Sequence, residues 1–314
     1  MHTLEHKINP AHQESISKVL HYINQNLSSP LSLENLADVA NYSPFHFQKV
    51  FSEALLESPK QYIIRLRLER AAHFIKMYPT LPISEIASGC GFSSPAVFSR
   101  AFKNYYSVTA EVFREMPAEK IMALSKQKGE NDNSLLIDPW IKLINNPLEN
   151  LHDIEISPLP VIKNYPTLIF ACVQTTLNHP ESISFAFKSL MKWAIPNDMV
   201  IPEMKYIGIC LDAPFYTSKD KCRYLAGIEV NKEIKSKKGI DITTLNEGKY
   251  ASFSSLGTQE YTLNQVVALN HKYLPDMGYE IAEIICYEIF DECPAYKPYQ
   301  SINKTILVPI KIKN

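Results

Sequence analysis

The sequence lacks long hydrophobic runs and a targeting segment. No stretch of the 314-residue chain approaches the roughly eighteen consecutive apolar residues that a membrane-spanning helix needs. The opening residues MHTLEHKINPAHQES are polar and do not contain the apolar core of a signal peptide. We therefore expect a cytoplasmic protein without a membrane partner.

The motifs of several large enzyme classes are also missing. The chain contains no H-E-x-x-H pair, no P-loop, no G-x-G-x-x-G turn and no evident serine–histidine–aspartate arrangement. Its six cysteines form no C-x-x-C pair, and most lie in apolar, strand-like runs, which favours buried free thiols over zinc ligation or disulfides. The sequence thus predicts no catalytic residue, no metal site and no cofactor.

Two different sequence patterns divide the chain. Apolar residues recur at spacings of three and four up to about residue 118, whereas β-rich runs such as TLIFACVQT begin near residue 154. Residues 1–128 hold 14 Lys and Arg against 11 Asp and Glu, a mild excess that hints at a polyanionic partner. We expect an all-α domain at 1–118, a linker at 119–152 and an α+β domain at 153–314.

The first domain repeats one helix-turn-helix pattern. LADVANYSPFHFQKVF at 36–51 returns as IASGCGFSSPAVFSRAF at 86–102, with one serine inserted. A serine before a proline favours a helix start, because serine caps the helix and proline suits its first position. A repeat that only builds a helical bundle is the simpler alternative. Lys49 and Arg100, which lie at the same place in both second helices, favour DNA binding instead.

These residues resemble the DNA-binding domain of the AraC/XylS family of bacterial transcription regulators. The resemblance covers residues 15–114 and is carried by LSLENLADVANYSPFHFQKVF, QYIIRLRLERAAHFI and ISEIASGCGFSSPAVFSRAFKNYYSVTAEVFR. It implies a promoter-binding activator that works with RNA polymerase, and the tandem helices allow a monomer to bind an asymmetric DNA site. The bridging helix, at about 59–77, would hold the two reading helices about 34 Å apart.

The resemblance also implies which side chains meet DNA. The exposed stripes of the two second helices are expected to read bases, and the serines at the helix starts are expected to contact phosphates. The residues are Ser43, Phe45, His46, Gln48, Lys49, Ser94, Pro95, Ala96, Val97, Ser99 and Arg100. Gln48 is suited to adenine. The second copy offers mostly apolar side chains, so we expect the first copy to give more of the specificity.

The second domain contains two strand–strand–helix–strand–strand halves, at 153–230 and 240–312. Their strands include IEISPL at 154–159 and EIAEIICYEIF at 280–290. Such halves should pair as an α+β domain with both helices on one side of the sheet and a cleft between the halves.

This part of the chain resembles the GyrI-like effector-binding domain, which is often fused to such regulators. The matching segments are 206–230, 248–257, 271–281 and 286–294. Two acids common in that family are missing, at Ala213 and Leu225. The resemblance implies a small, amphipathic, aromatic and cationic effector at a pocket glutamate, Glu288. Candidate aromatic walls are Trp193, Tyr206, Phe215, Tyr216, Tyr224 and Phe290.

Other interpretations stay open at this point. Glu288 could instead point at solvent, or pair with Arg223 or a lysine. The whole chain could be a GyrI-like hydrolase of a small aromatic compound fused to a DNA-binding unit. It could also be a sequestering protein whose DNA contacts are vestigial.

Overall fold

The computed structural model describes residues 12–116, 121, 154–177, 179, 181–201, 203–212, 216–217, 221–230, 239–283 and 285–313. The predicted linker 119–152 lies outside these ranges except for Ile121, which is buried. Within the described ranges, no helix has the length and apolar character required to cross a membrane. All six cysteines are described and are free thiols, and only Cys210 is not fully buried.

The first part of the chain is entirely helical. Its helices are α1 (Gln13–Gln25), α2 (Leu33–Ala40), α3 (Pro44–Leu55), α4 (Pro59–Met77), α5 (Ile83–Gly89), α6 (Pro95–Tyr106) and α7 (Ala110–Glu115). Helices α2 and α3 form one helix-turn-helix unit and α5 and α6 form the other. The long helix α4 contributes to the cores of both units, so it fixes the distance between α3 and α6.

The two predicted DNA-reading helices, α3 and α6, begin at the predicted serine–proline signals. Ser43 and Ser94 accept hydrogen bonds from the backbone N–H groups of His46 and Val97, each at 3.3 Å. A proline occupies the first turn of both helices, where its missing N–H costs nothing. Because each cap fixes the first residue of its helix, it also fixes which side chains lie on the exposed face of that helix.

The two tight turns need left-handed backbone. Asn41 has a φ of 57° between α2 and α3, and Gly91 has a φ of 84° between α5 and α6. A Cβ atom at Gly91 would lie 2.8 Å from the carbonyl oxygen of Leu27, so a side chain there would collide with backbone. Glycine is required at the second turn by both conformation and space.

The second part of the chain is a curled antiparallel sheet. Its strands are β1 (Val161–Tyr165), β2 (Leu168–Thr176), β3 (Tyr206–Cys210), β4 (Arg223–Glu229), β5 (Asp241–Leu245), β6 (Gly248–Ser255), β7 (Tyr279–Ile281), β8 (Cys286–Phe290) and β9 (Lys304–Ile312). The order is β1-β6-β9-β8-β3-β4-β2-β5, and β7 pairs with β9. Helix α8 (Ser182–Ala194) and helix α9 (Gln259–Ala268) cover one face, as predicted.

The two halves of the sheet exchange their edge strands. β1 from the first half pairs with β6 of the second, and β5 from the second half pairs with β2 of the first. The halves meet at the centre through β3 and β8, where Gly208 lies opposite Glu288. Glu288 is therefore placed in the middle of the sheet, on the face that carries both helices.

Two strand boundaries differ from the prediction. Residues 154–159 are not a strand, and β1 begins at Val161, because Pro158 and the following Pro160 cannot donate to a sheet ladder. The predicted strand 280–290 is divided into β7 and β8. Ile281 pairs with Ile310 but Tyr287 pairs with Leu307, so the register with β9 changes between the two strands.

Candidate functional site

The predicted DNA-reading side chains lie on the outside of α3 and α6. Phe45 is 83% exposed and Val97 is 40% exposed, although both are large and apolar. Of the other predicted readers, Ser94 is half-buried and the rest are exposed: Ser43, His46, Gln48, Lys49, Pro95, Ala96, Ser99 and Arg100. The exposed stripe exists because the opposite face, which includes Phe47 and Phe98, is fully buried.

The two cations of this surface are only loosely engaged within the protein. Lys49 Nζ lies 4.0 Å from a carboxylate oxygen of Glu53, and both side chains are exposed. Arg100 Nε donates a long hydrogen bond of 3.4 Å to the carbonyl oxygen of Ala96. Exposed ion pairs of this kind are weak, so both cations can exchange these contacts for a phosphate or a base.

Glu288 is buried and carries two hydroxyl donors. Its side chain is 3% exposed, one carboxylate oxygen accepts from the Tyr224 hydroxyl at 2.5 Å, and the other accepts from the Tyr299 hydroxyl. Burial raises the pKa of Glu288, whereas the two hydroxyl groups and the charge of Lys304 lower it, with a net rise. The solvent-facing alternative for Glu288 is wrong.

A glycine makes room for this arrangement. A Cβ atom at Gly208 would lie 1.7 Å from the Tyr224 hydroxyl oxygen and 2.8 Å from Oε2 of Glu288. Sequence reasoning missed Gly208, although a glycine inside a strand often marks close approach of another group. It also missed Lys304, which is buried, donates to the Gly257 carbonyl oxygen at 3.1 Å and lies 4.2 Å from the Tyr299 ring.

Most of the predicted aromatic walls share one core cluster with Tyr224, which donates a hydrogen bond to Glu288. Trp193, Tyr206, Tyr224 and Phe290 belong to one core cluster, in which Tyr224 and Phe290 are buried and the other two are half-buried. Phe215 lies outside the described residues. Tyr216 is different, because it packs against His73 and Phe113 of the first domain rather than beside Glu288.

Arg223 links the sheet to the first domain instead of pairing with Glu288. It neighbours Tyr224 on β4, so the two side chains point to opposite faces. Its guanidinium donates to the carboxylate of Asp212 at 2.5 and 2.7 Å, to the Tyr62 hydroxyl at 3.3 Å, and to the side-chain oxygen of Asn24. The buried ion pair between Arg223 and Asp212 therefore also connects the sheet to α1 and α4.

A second polar contact joins the domains at Glu69 on α4. The buried Glu69 carboxylate accepts from the Thr217 hydroxyl at 3.1 Å, from the Tyr105 hydroxyl at 2.8 Å and from Arg65 at 3.3 Å. Burial raises its pKa to about 6, although the charge of Arg65 opposes the rise. Every side of this carboxylate is occupied, which makes it a structural group.

A cavity of about 510 Å³ lies between the domains. It borders α1 and α4 on one side and the outer face of β3, β4, β5 and β8 on the other. Tyr287 lines the cavity and neighbours Glu288 along β8, so the two side chains point to opposite faces of the sheet. The cavity and the Glu288 site are separate places.

Comparisons with known proteins match each part of the chain separately. A helix-turn-helix domain model matches residues 36–116, and a model of the GyrI-like small molecule binding domain matches residues 159–311. The multiple antibiotic resistance protein MarA of Escherichia coli K12 is 35% identical over 100 residues, which are 32% of this chain and 78% of MarA.

Two further similarities concern the same helical region. The Msm operon regulatory protein of Streptococcus mutans is 33% identical over 110 residues, so the chain spans only 39% of that relative's length and the match covers 33% of this chain. The crystal structure of an AraC-type transcriptional regulator from Chromobacterium violaceum is 27% identical, with a TM-score of 0.31 over 34% of this chain and 95% of that one.

Proposed function

Because the chain belongs to the AraC-type family of DNA-binding transcription regulators and carries a GyrI-like small-molecule binding domain, we propose that it is an effector-controlled activator. The observation that supports this best is that both reading helices stay exposed while the second domain packs against α1 and α4. We assign DNA binding to residues 1–118, the connection to 119–152 and effector binding to 153–314.

The DNA contacts follow from the chemistry of the exposed side chains. Gln48 would make a bidentate contact to adenine, and Lys49 and Arg100 would contact phosphates or guanine. The helix starts at Ser43 and Ser94 would bind phosphates through backbone N–H groups. As an activator in the cytoplasm, the protein would meet RNA polymerase at the promoter.

The effector site would lie at Glu288. The flanking aromatic side chains would hold an aromatic, amphipathic compound, and the carboxylate would attract its positive charge. Tyr299 lies half-buried in a single turn, Tyr299–Ser301, whereas Tyr224 is fully buried within β4. We propose that the effector approaches from the Tyr299 side and takes over the hydrogen bond that Tyr299 makes.

The same strand offers a route from effector to DNA. Tyr224 contacts Glu288 on one face, and its neighbour Arg223 contacts Tyr62 and Asn24 on the other. Tyr62 in turn packs against Phe51 of the reading helix α3, with 5.5 Å between ring centroids. A shift of β4 at the effector site would therefore reach α3 through three side-chain contacts.

We propose that the protein is not a hydrolase. Both carboxylate oxygens of Glu288 accept hydrogen bonds from tyrosine hydroxyls, so neither is free to act as a base toward water. The predicted DNA-contacting side chains of α3 and α6 are exposed, which favours working over vestigial DNA contacts. Capture of promoter DNA by the purified full chain, with and without an aromatic cation, tests the proposed function directly.

Gln48→Ala and Lys49→Ala are each expected to weaken specific DNA binding. Loss of a good base contact costs about 1–3 kcal/mol, and loss of one phosphate contact lowers the salt slope by about one. Anisotropy titrations of a selected operator duplex at several salt concentrations measure both quantities. Lys188→Ala, which removes an exposed cation of α8, is the matched control. Wild-type binding by both reading-helix variants at every salt concentration would contradict the assignment of α3.

Ala96→Gln is expected to sharpen the sequence preference of the second half-site. The wild-type stripe on α6 is mostly apolar, so an added amide supplies a base contact worth about 1–3 kcal/mol. Arg100→Ala should instead lower affinity for all sequences alike. Selection of binding sites from a random duplex library distinguishes these effects. The idea fails if the wild-type protein already fixes as many bases in the second half-site as in the first.

A further inference from the structure

Two cysteines lie directly opposite each other at the centre of the sheet. Cys210 on β3 and Cys286 on β8 are partners in the antiparallel register, one pair further along than Gly208 and Glu288. Residues paired in this way point their side chains to the same face, and their Cα atoms are about 4.5 or 5.5 Å apart. Both values fall within the range of about 4.4–6.8 Å that a disulfide spans. The backbone therefore places the two thiols within reach of each other.

Core packing puts both thiols on the face that carries the helices. Cys286 belongs to the core cluster covered by α9, and Cys210 packs against the cluster covered by α8. Cys286 also alternates with Glu288 along β8, so these two side chains share a face. Burial, followed by the charges of Glu288 and Cys286, raises the pKa of Cys210, as expected when the two thiols are neighbours.

The two thiols differ in their access to solvent. Cys210 is the last residue of β3 and, of the six cysteines, the one that is not fully buried, whereas Cys286 is 7% exposed. A small oxidant can therefore reach the Cys210 sulfur first, and Cys286 is positioned to resolve the product. Cys172, the third cysteine within a strand, lies opposite Gly227 and Asp241 instead of another thiol.

We propose that Cys210 and Cys286 form a modification site at which a hydroperoxide produces a reversible disulfide across the sheet. The Cys210 thiolate attacks one oxygen of hydrogen peroxide, the O–O bond breaks, and the departing hydroxide takes up a proton to leave as water. The Cys286 sulfur then attacks the sulfenic acid at Cys210. The S–S bond forms, the S–O bond breaks, and the oxygen leaves as water with the proton of Cys286. Two thiols and one peroxide thus give one disulfide and two waters.

The disulfide would join the two strands at which the halves of the domain meet. The Cβ atoms of a directly opposed pair are about 4.5–5.5 Å apart, and a disulfide needs about 3.5–4.5 Å, so the strands must approach by about 1 Å. Strain of this kind makes a disulfide easier to reduce, so a dithiol should reverse the modification. The modification goes beyond the proposed function and does not rest on it, because it requires neither DNA nor an effector.

The test exposes the folded full chain to hydrogen peroxide and follows its intact mass and its peptides. The intact mass should fall by two hydrogen atoms, peptide mapping should join Cys210 to Cys286, and dithiothreitol should restore the original mass. Cys210→Ser and Cys286→Ala should each abolish the cross-link. Cys222→Ser removes another buried thiol near Cys210 and is the matched control, which should keep the cross-link.

The rate of cross-linking provides a second measurement. Because the thiolate is the nucleophile and burial raises the pKa of Cys210, the rate should rise about tenfold per pH unit as long as the pH stays below that pKa. Mass spectra of samples quenched with acid at successive times give this rate. A rate that does not change with pH would mean that the reacting thiol is not the one assigned.

Three further outcomes would overturn the proposal: no intramolecular disulfide in the folded wild-type chain, a cross-link from Cys210 to Cys222, or a cross-link that forms only after unfolding in urea. Circular dichroism checks the fold of each variant. Should Cys286→Ala not fold, peptide mapping of the wild-type chain carries the test, because it locates the disulfide without any substitution.

Discussion

Replacing Arg223 by methionine is expected to lower the free energy of unfolding by about 3–5 kcal/mol. The side chains of Arg223 and Asp212 are each only 7% exposed, and their closest atoms are 2.5 Å apart. Removal of the cation leaves the Asp212 carboxylate buried with no opposite charge, which costs much more than the pair itself contributes. Urea unfolding of the full chain, followed by circular dichroism and by tryptophan fluorescence, measures the loss.

Two further variants separate the buried charge from lost packing. Asp212→Asn combined with Arg223→Met removes both charges, so it should recover part of the stability that the single arginine variant loses. Lys205→Met removes the cation of a more exposed pair, Lys205 with Glu229, and should cost about 1 kcal/mol or less. Equal losses for Arg223→Met and Lys205→Met would show that the Arg223 contact is not a buried ion pair in solution.

Arg223→Met should also loosen the contact between the domains. The guanidinium is the donor to Tyr62 and Asn24 of the first domain, and methionine cannot replace these hydrogen bonds. Small-angle scattering of the variant should therefore give a larger radius of gyration than the wild type. An unchanged radius would mean that the Glu69–Thr217 contact and the apolar contacts suffice to hold the domains together.

The reading helices could be predicted from sequence because their determinants are local. Ser43 and Ser94 lie three residues before the N–H groups that they cap. Phe47, Val50 and Phe51 are buried at spacings of three and four, which leaves Phe45, Gln48 and Lys49 on the exposed face of α3. The turn residues Asn41 and Gly91 also follow a local rule, because positive φ favours these residue types.

The Glu288 site could be predicted only in part, because distant segments build it. The only local signal for Glu288 is a carboxylate within the apolar run ICYEIF. Tyr299 arrives from a turn and Lys304 from another strand, and only the pairing of β8 with β9 brings them there. Tyr216 was expected near the site, but the chain around it packs on the first domain instead. Contacts between the domains leave no periodic signal in sequence.

Glu288→Gln is expected to weaken an aromatic cation by about 1.5–3 kcal/mol, the worth of a hydrogen bond to a charged group. Glu288 is a buried acid that contacts Tyr224 of the aromatic cluster, and low local dielectric strengthens its attraction for a cation. Phenethylammonium and propylbenzene have nearly the same shape and differ in charge, and only the ammonium group can donate a hydrogen bond to the carboxylate. Calorimetry on the full chain should show a loss for the first compound and none for the second.

The glutamine side chain can still accept from Tyr224, so the variant should fold and the comparison isolates the charge. Glu292→Gln is the matched control, because Glu292 is an exposed acid of the same domain that pairs with Lys297. Tyr299→Phe removes the hydroxyl that competes with the ligand for the carboxylate and should strengthen the cation's binding. Equal losses for the charged and neutral probes in Glu288→Gln would mean that Glu288 is structural and that the effector binds elsewhere.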